Sequence, residues 1–374
     1  MAMKRASRAT DSLFVQAKRA RNNTSATPHP SVPSLGLGTY RLKGAACERS
    51  VRLALSEMGF RLIDTAHIYA NEREVGRAVR LCGVPREQIF VQTKLWRSHQ
   101  GNDPRTGRPR AAQALPRQLK VLGLEAVDLW LLHWPGPGRY LAKPPVCRST
   151  TQVHRKGDCG PLLLEKMVSR HVNTKVPSDW TPQMRLETYE HMVTDLRAGR
   201  AKALGVCNMS AAQLRALLAH CDARALPRPA VLQQELHPLL QQREVRALCR
   251  KEGIAFQADA PLGAGLLQLE ELQPVADAAT AHGATAAQVL LSWALARADS
   301  VVVKATSASH LRENFAAQKL QLSVQELAMI DMCDTNFALH ASMQRQKKKT
   351  GAAQEQQRHT MATWLREQDP SCYD

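Results

Sequence analysis

Several things are scarce in this chain, and each scarcity narrows what it can be. Aromatic residues make up only 5% of the 374 residues, and the basic stretches carry few rings between their lysines and arginines. Platforms on which bases could stack are therefore thin, and a net charge of +18 makes only a weak case for nucleic acid. No apolar run approaches the roughly 18 residues of a spanning helix, so a soluble protein with no membrane partner is expected. The nine cysteines form no CxxC pair and no His/Cys grouping at metal spacing. Neither a disulfide framework nor a metal site is expected, and the thiols suit a reducing compartment, with the cytoplasm the first expectation. Also missing is a GxGxxG turn: in GLGTYRLKG, Arg41 stands where the third glycine belongs.

What is present is an alternation. Short apolar runs that read as buried strands recur at Arg61–Ile63, Ile89–Thr93, Val127–Leu132, Ala203–Val206, Ala230–Gln234, Ile254–Ala258 and Ser300–Val303. SLGLG adds an opening strand, and patterns of helical period fill the gaps. Predicted helices cover Cys47–Met58, Asn71–Leu81, Ala111–Leu122, Met184–Ala198, Ala211–His220, Gln241–Lys251, Glu270–His282, Thr285–Arg297, Ser309–Gln318 and Val324–Cys333. Eight βα units over roughly 300 residues are the arithmetic of an α/β fold of the (β/α)8 barrel type, and the doubly wound alternative lacks its glycine turn. The expected organisation is a basic N-terminal extension without fixed structure (1–33), a barrel domain (34–335) and a polar tail (336–374). A long insertion (136–182) belongs to the barrel domain. The basic excess falls in the extension, the loop after Lys94, the insertion and the run Lys347–Lys349. The arginine- and serine-rich start could be an organellar import segment, a nuclear signal or a free arm.

Three strand ends carry chemistry. FRLIDTAHIYANE places Asp64 at a strand tip and Tyr69 five residues on, FVQTKLW places Lys94, and DLWLLHWP places His133. Each has an ordinary reading alone: an N-cap, a packed ring, a solvated amine, a rim histidine. Together they are the parts of a proton-donating site. A phenol's pKa near 10 is high for an acid at neutral pH, so a neighbouring ammonium is expected to lower it. A carboxylate would hold that ammonium, and an imidazole would orient a carbonyl oxygen. None of the four delivers hydride, so a nicotinamide cofactor is implied.

GLGTYR, GFRLIDTAHIYANEREVGRAV, TKLW, LGLEAVDLWLLHWP, AKALGVCN, QQELHP, APLGAG, TAAQVLLSWAL and HLREN occur in this order over about residues 34–335. In these motifs the chain resembles the aldo-keto reductase family. The resemblance implies a barrel that binds NADPH/NADP+ and a tetrad of Asp64, Tyr69, Lys94 and His133 with Tyr69 as acid. Tyr40, Trp96 and Trp134 would line an aromatic pocket for a small carbonyl substrate. The cofactor would lie against Thr39, Asp64, Asn208, Gln233, Leu262, Lys304, His310, Glu313 and Asn314, with Asn208 and Gln233 on the nicotinamide carboxamide. A monomer is expected. Departures accompany the match. Asp259 replaces the tyrosine that stacks on nicotinamide, Cys207 replaces a serine, and Ala305 and His310 replace the Ser and Arg of the phosphate region. Histidine binds phosphate less firmly than arginine, so NADPH is expected over NADH with reduced discrimination, NADH remaining an alternative. The implied activity is reduction of an aldehyde or ketone. A weakly active, cofactor-binding regulatory protein is the alternative, since fold does not guarantee activity.

Overall fold

The computed structural model describes residues 31–103, 106–136 and 180–338. The expectations for the N-terminal extension, for nearly all of the insertion and for the C-terminal tail lie outside the described residues. From Val32 onward the described elements, in chain order, begin with β1 Leu35–Gly38, α1 Gly44–Ser56, β2 Leu62–Asp64, α2 Glu72–Leu81, β3 Phe90–Leu95 and α3 Ala114–Leu122. They continue with β4 Leu129–Leu132, α4 Pro182–Arg197, β5 Leu204–Cys207, α5 Ala211–Ala223, β6 Val231–Glu235 and α6 Arg243–Glu252. The chain then runs through β7 Ala255–Asp259, α7 Gln273–His282, α8 Ala286–Arg297, β8 Ser300–Val303, α9 Ala308–Ala316 and α10 Val324–Asp331. The eight strands pair in sequence order, all parallel, and β1 closes on β8. The predicted (β/α)8 barrel is what forms.

Alternation along each strand explains where the site lies. Side chains two apart share a face of the sheet. Ile63, Val91, Trp130, Leu132, Leu204, Val206, Leu232, Phe256, Val301 and Val303 join the helices in the outer core. The alternate positions Leu62, Phe90, Leu129, Leu131, Val231 and Val302 form a second, inner cluster. On those same inner faces the residues turn polar toward the C-terminal ends. Leu62 leads to Asp64, Phe90 to Gln92 and Lys94, Leu131 to His133, Val231 to Gln233, and Ala255 to Gln257 and Asp259. An apolar plug thus supports a polar layer, and the layer faces the end where βα loops carry chemistry.

Differences from the predicted elements have local causes. The helix expected over Glu270–His282 is split into a 3₁₀ turn, Leu269–Glu271, and α7, because Pro274 in the first turn of α7 cannot extend an upstream helix. The helix expected from Ala111 likewise opens with a 3₁₀ turn, Arg110–Gln113, before α3. Capping boxes at Ser210/Gln213, Thr285/Gln288 and Ser323/Glu326 fix the starts of α5, α8 and α10. Gly76 lets α2 meet the end of α3: a Cβ there would collide with the backbone carbonyl of Leu122. Arg80, one turn on, donates to the same carbonyl.

Candidate active site

Tyr69 is held from behind. The segment after β2 makes a 3₁₀ turn, His67–Tyr69, and leaves it through Ala70 in the left-handed region at φ 52°. Asn71 is fully buried and does not cap α2; its amide donates to the carbonyls of Thr39 (2.8 Å) and Leu42 (3.0 Å) and accepts from Thr65 Oγ1 (2.8 Å). One side chain therefore ties the β1 loop, the β2 tip and the start of α2 around the phenol. Lys43 adds a hydrogen bond to the Tyr69 carbonyl.

Lys94 reaches the site from β3 with its side chain wholly buried. The three N–H groups of its ammonium have three acceptors: Asp64 Oδ1 at 2.5 Å, the Thr65 carbonyl at 3.1 Å and Tyr69 Oη at 3.3 Å. Asp64 Oδ1 also accepts from Gln92 Nε2 (2.5 Å) and Gln233 Nε2 (3.1 Å). His133 lies beside the phenol, ring centroids 5.8 Å apart and nearly perpendicular. The four residues singled out in the sequence therefore converge at one end of the barrel.

The electrostatics correct one expectation. The Tyr69 hydroxyl is pushed well above the ordinary phenol range, by burial first and then by the negative charges of Asp64 and Asp259. Burial and these two carboxylates outweigh the lowering expected from Lys94, whose own charge is paired with Asp64 at 2.5 Å. The phenol is thereby kept protonated. A proton donor needs that form, and an alkoxide growing on a substrate is basic enough to take the proton. Burial likewise raises the Cys207 thiol, which is poorly suited to act as a nucleophile.

The three aromatic residues expected to line a pocket lie beside the imidazole and the phenol. Trp96 packs edge-on against His133 at 5.2 Å, Trp134 stacks on it at 6.3 Å, and Tyr40 tilts against Tyr69 at 5.0 Å. Arg97 places its guanidinium 4.8 Å from the Trp96 ring centre and 4.6 Å from that of Trp134, within cation–π range of both. A cavity of about 800 Å³ adjoins this cluster through Arg97, Trp134 and Asn208 and extends to the starts of α5 and α6, and His133 and Tyr69 are not in its wall.

The expected cofactor residues divide. Thr39 is buried, its hydroxyl on the Asp64 carbonyl at 2.9 Å. Asn208, at φ 58°, donates to the His133 carbonyl at 2.9 Å. Gln233 is engaged at both ends, its nitrogen on Asp64 and Gln257 and its oxygen facing the Cys207 thiol at 3.6 Å. Leu262 packs on the core. Glu313 accepts from Thr285 Oγ1 at 2.5 Å, Asn314 is buried, and His310 is exposed at the start of α9. Lys304, past the end of β8, is an exposed residue whose amine is partly desolvated, which lowers its pKa first, the like charge of Arg41 acting second. Arg41 was missed in the sequence as anything but a break in a glycine motif; its basic character three residues past β1, the neighbour of β8, was the available signal. Gln92 and Gln257 were missed as well, although each sits two residues before a polar strand end and so on the same face.

Comparison with known proteins agrees with this fold. The chain matches the description "Aldo/keto reductase family" over residues 34–335. It is 37% identical over 285 residues to aldehyde reductase YPR1 of Saccharomyces cerevisiae, covering 76% of this chain and 82% of that one. It is 34% identical over 283 residues to glycerol 2-dehydrogenase (NADP(+)) of the same yeast, again covering 76% and 82%. The crystal structure of an aldo/keto reductase from Brucella melitensis superposes with a TM-score of 0.63 at 29% identity, over 81% of this chain and 95% of that one.

Proposed function

The chain belongs to the aldo/keto reductase family, and from that premise we propose that it reduces an aldehyde or ketone to an alcohol with NADPH, Tyr69 giving the proton. The observation that carries the reading is the 3.3 Å contact between Lys94 Nζ and Tyr69 Oη beside a histidine ring at 5.8 Å. A carbonyl oxygen held between the phenol and His133 would sit where negative charge can be stabilised and protonated. Tyr69 Oη releases its proton to that oxygen, and Lys94, held by Asp64, stabilises the phenolate left behind. Trp96, Trp134 and Tyr40 exclude water from the carbonyl and favour an apolar or aromatic substituent.

NADPH, when bound, supplies the hydride. The residues present suit its extra phosphate: Arg41 and Lys304 place two exposed cations past the ends of the neighbouring strands β1 and β8, where an anion would be attracted. The start of α9, capped by Ser307 rather than by an acid, adds backbone N–H groups of favourable polarity. Asn208 remains the better placed of the two residues expected on the carboxamide, because it is half-exposed whereas Gln233 is buried.

One observation favours a second reading, a cofactor-binding protein of weak activity. Asp259, at the end of β7, stands where the resemblance implies a ring stacked on the nicotinamide. The two readings separate in one experiment. NADPH is titrated by fluorescence, and its absorbance is then followed with a generic aromatic aldehyde. Binding followed by aldehyde-dependent loss of absorbance is expected; binding without turnover would favour the second reading.

A further inference from the structure

Beneath the catalytic residues lies a buried layer of amides, and each amide has a defined orientation. We propose that Gln257, anchored by Ser300, is a positioning residue for the Asp64–Lys94–Tyr69 group. It dictates which way the Gln92 and Gln233 amides point and so keeps three donors on a single carboxylate oxygen. The proposal rests on the reductase reading above and adds to it residues that touch neither substrate nor cofactor.

An amide presents a donor at one end and an acceptor at the other, and a half-turn exchanges them. Gln92 and Gln233 both turn nitrogen toward Asp64 Oδ1, at 2.5 and 3.1 Å. Each nitrogen also donates to Gln257 Oε1, both at 2.8 Å. Gln257 Nε2 points the other way, to Ser300 Oγ at 3.1 Å and Gln92 Oε1 at 3.2 Å. Ser300 in turn donates to the Pro33 carbonyl at 2.8 Å.

The polarity follows from that last acceptor. A backbone carbonyl cannot donate, so the serine's one hydrogen goes to Pro33, and Ser300 Oγ is left to accept. It must receive nitrogen from Gln257. Gln257 then shows oxygen to its other neighbours, and that oxygen draws the nitrogens of Gln92 and Gln233 to the side where Asp64 lies. Reversing either amide would set oxygen against a buried carboxylate, an unpaired contact the interior penalises.

Register builds the layer. Asp64 is paired with Gln92, Gln233 with Gln257, and Gln257 with Ser300, so these side chains come from matched positions on neighbouring strands. Gln92 and Gln257 are wholly buried and Ser300 is nearly so. Water cannot substitute for a lost partner without entering the plug. At the far end, Asp64 Oδ1 meets Lys94 at 2.5 Å and Lys94 meets Tyr69 Oη at 3.3 Å. A carboxylate that shifts or rotates therefore carries the amine away from the phenol.

The test uses the full chain with NADPH and an aromatic aldehyde, and thermal melting verifies that each variant is folded. Gln257→Met should lower kcat by about tenfold or more while KM for the aldehyde stays within about twofold. Ser300→Ala should lower kcat about threefold, and the double variant should be no worse than Gln257→Met alone, because Ser300 acts only through Gln257. Ser300→Thr, which keeps the hydroxyl, should retain kcat. An undiminished kcat in Gln257→Met, or losses that simply multiply in the double variant, would overturn the proposal. A second readout needs no turnover: in protein carrying isotope-labelled glutamine, the side-chain amide protons of Gln92 and Gln233 should exchange slowly, and quickly in Gln257→Met. Equal exchange in both proteins would overturn the proposal whether or not the unmodified chain is active. An unmodified chain that reduces no aldehyde would instead remove the reductase reading and leave the exchange result to decide the amide relay.

Discussion

Replacing Lys94 by methionine separates what the lysine does for the fold from what it does for chemistry. The side chains match in length, so little packing is lost, but Asp64 loses its cation partner in a site only 3% exposed. At 2.5 Å the pair's Coulomb attraction is about 7 kcal/mol for an effective dielectric constant of about 20. Desolvation of both ions offsets much of that, and breaking buried pairs costs about 3–5 kcal/mol because the remaining charge is stranded. Two donors from Gln92 and Gln233 persist, which puts the expected loss at the lower end, about 3 kcal/mol. That corresponds to a fall in Tm of about 5 °C for a domain of this size. The companion variant Lys94→Met/Asp64→Asn removes the stranded charge and keeps an acceptor for the two amides. It should recover most of the lost stability while remaining inactive. Urea unfolding of the three proteins provides the measurement. A single variant within about 1 kcal/mol of the unmodified chain, or a double variant no more stable than the single one, would refute this account of the buried pair.

Other consequences can be tested in the same preparations. Asp259→Asn removes one of the negative charges that raise the Tyr69 phenol; less repulsion favours phenolate, so the basic limb of kcat/KM against pH should move down, and an unmoved limb would show that the charge does not reach Tyr69. Lys304→Met should weaken NADPH binding by about tenfold while NADH binding changes little, as measured by fluorescence titration; equal weakening of both would detach Lys304 from the phosphate. In Gly76→Ala the usual gain of about 1 kcal/mol from helix propensity should be outweighed, because the new methyl meets a backbone carbonyl that cannot yield. A net loss of about 2 kcal/mol in chemical unfolding is expected, and a gain would refute the packing of α2 on α3.

The strands were legible because each is a short apolar run buried on both faces, and their count gave the barrel. The four convergent residues were legible because strand ends in a parallel barrel share one face, so Asp64, Lys94 and His133 had to gather. The amide layer was less legible for the same reason. A glutamine inside FVQTKLW or AFQAD reads as an interruption of an apolar run, and only closure of the barrel shows that Gln92, Gln233 and Gln257 meet. Tyr69's pKa was misjudged in direction, since the sequence shows a lysine that can lower it but not the burial and two carboxylates that outweigh it. Arg41 could be considered together with Lys304 only once β1 was seen to close on β8.

Substituting Tyr69 by phenylalanine tests the central claim most directly, because it deletes a single oxygen from an otherwise unchanged ring. NADPH affinity by fluorescence titration should match that of the unmodified chain, while aldehyde-dependent loss of NADPH absorbance should fall by about a hundredfold or more. A variant that still turns over at a comparable rate would contradict the assignment of the proton to that hydroxyl.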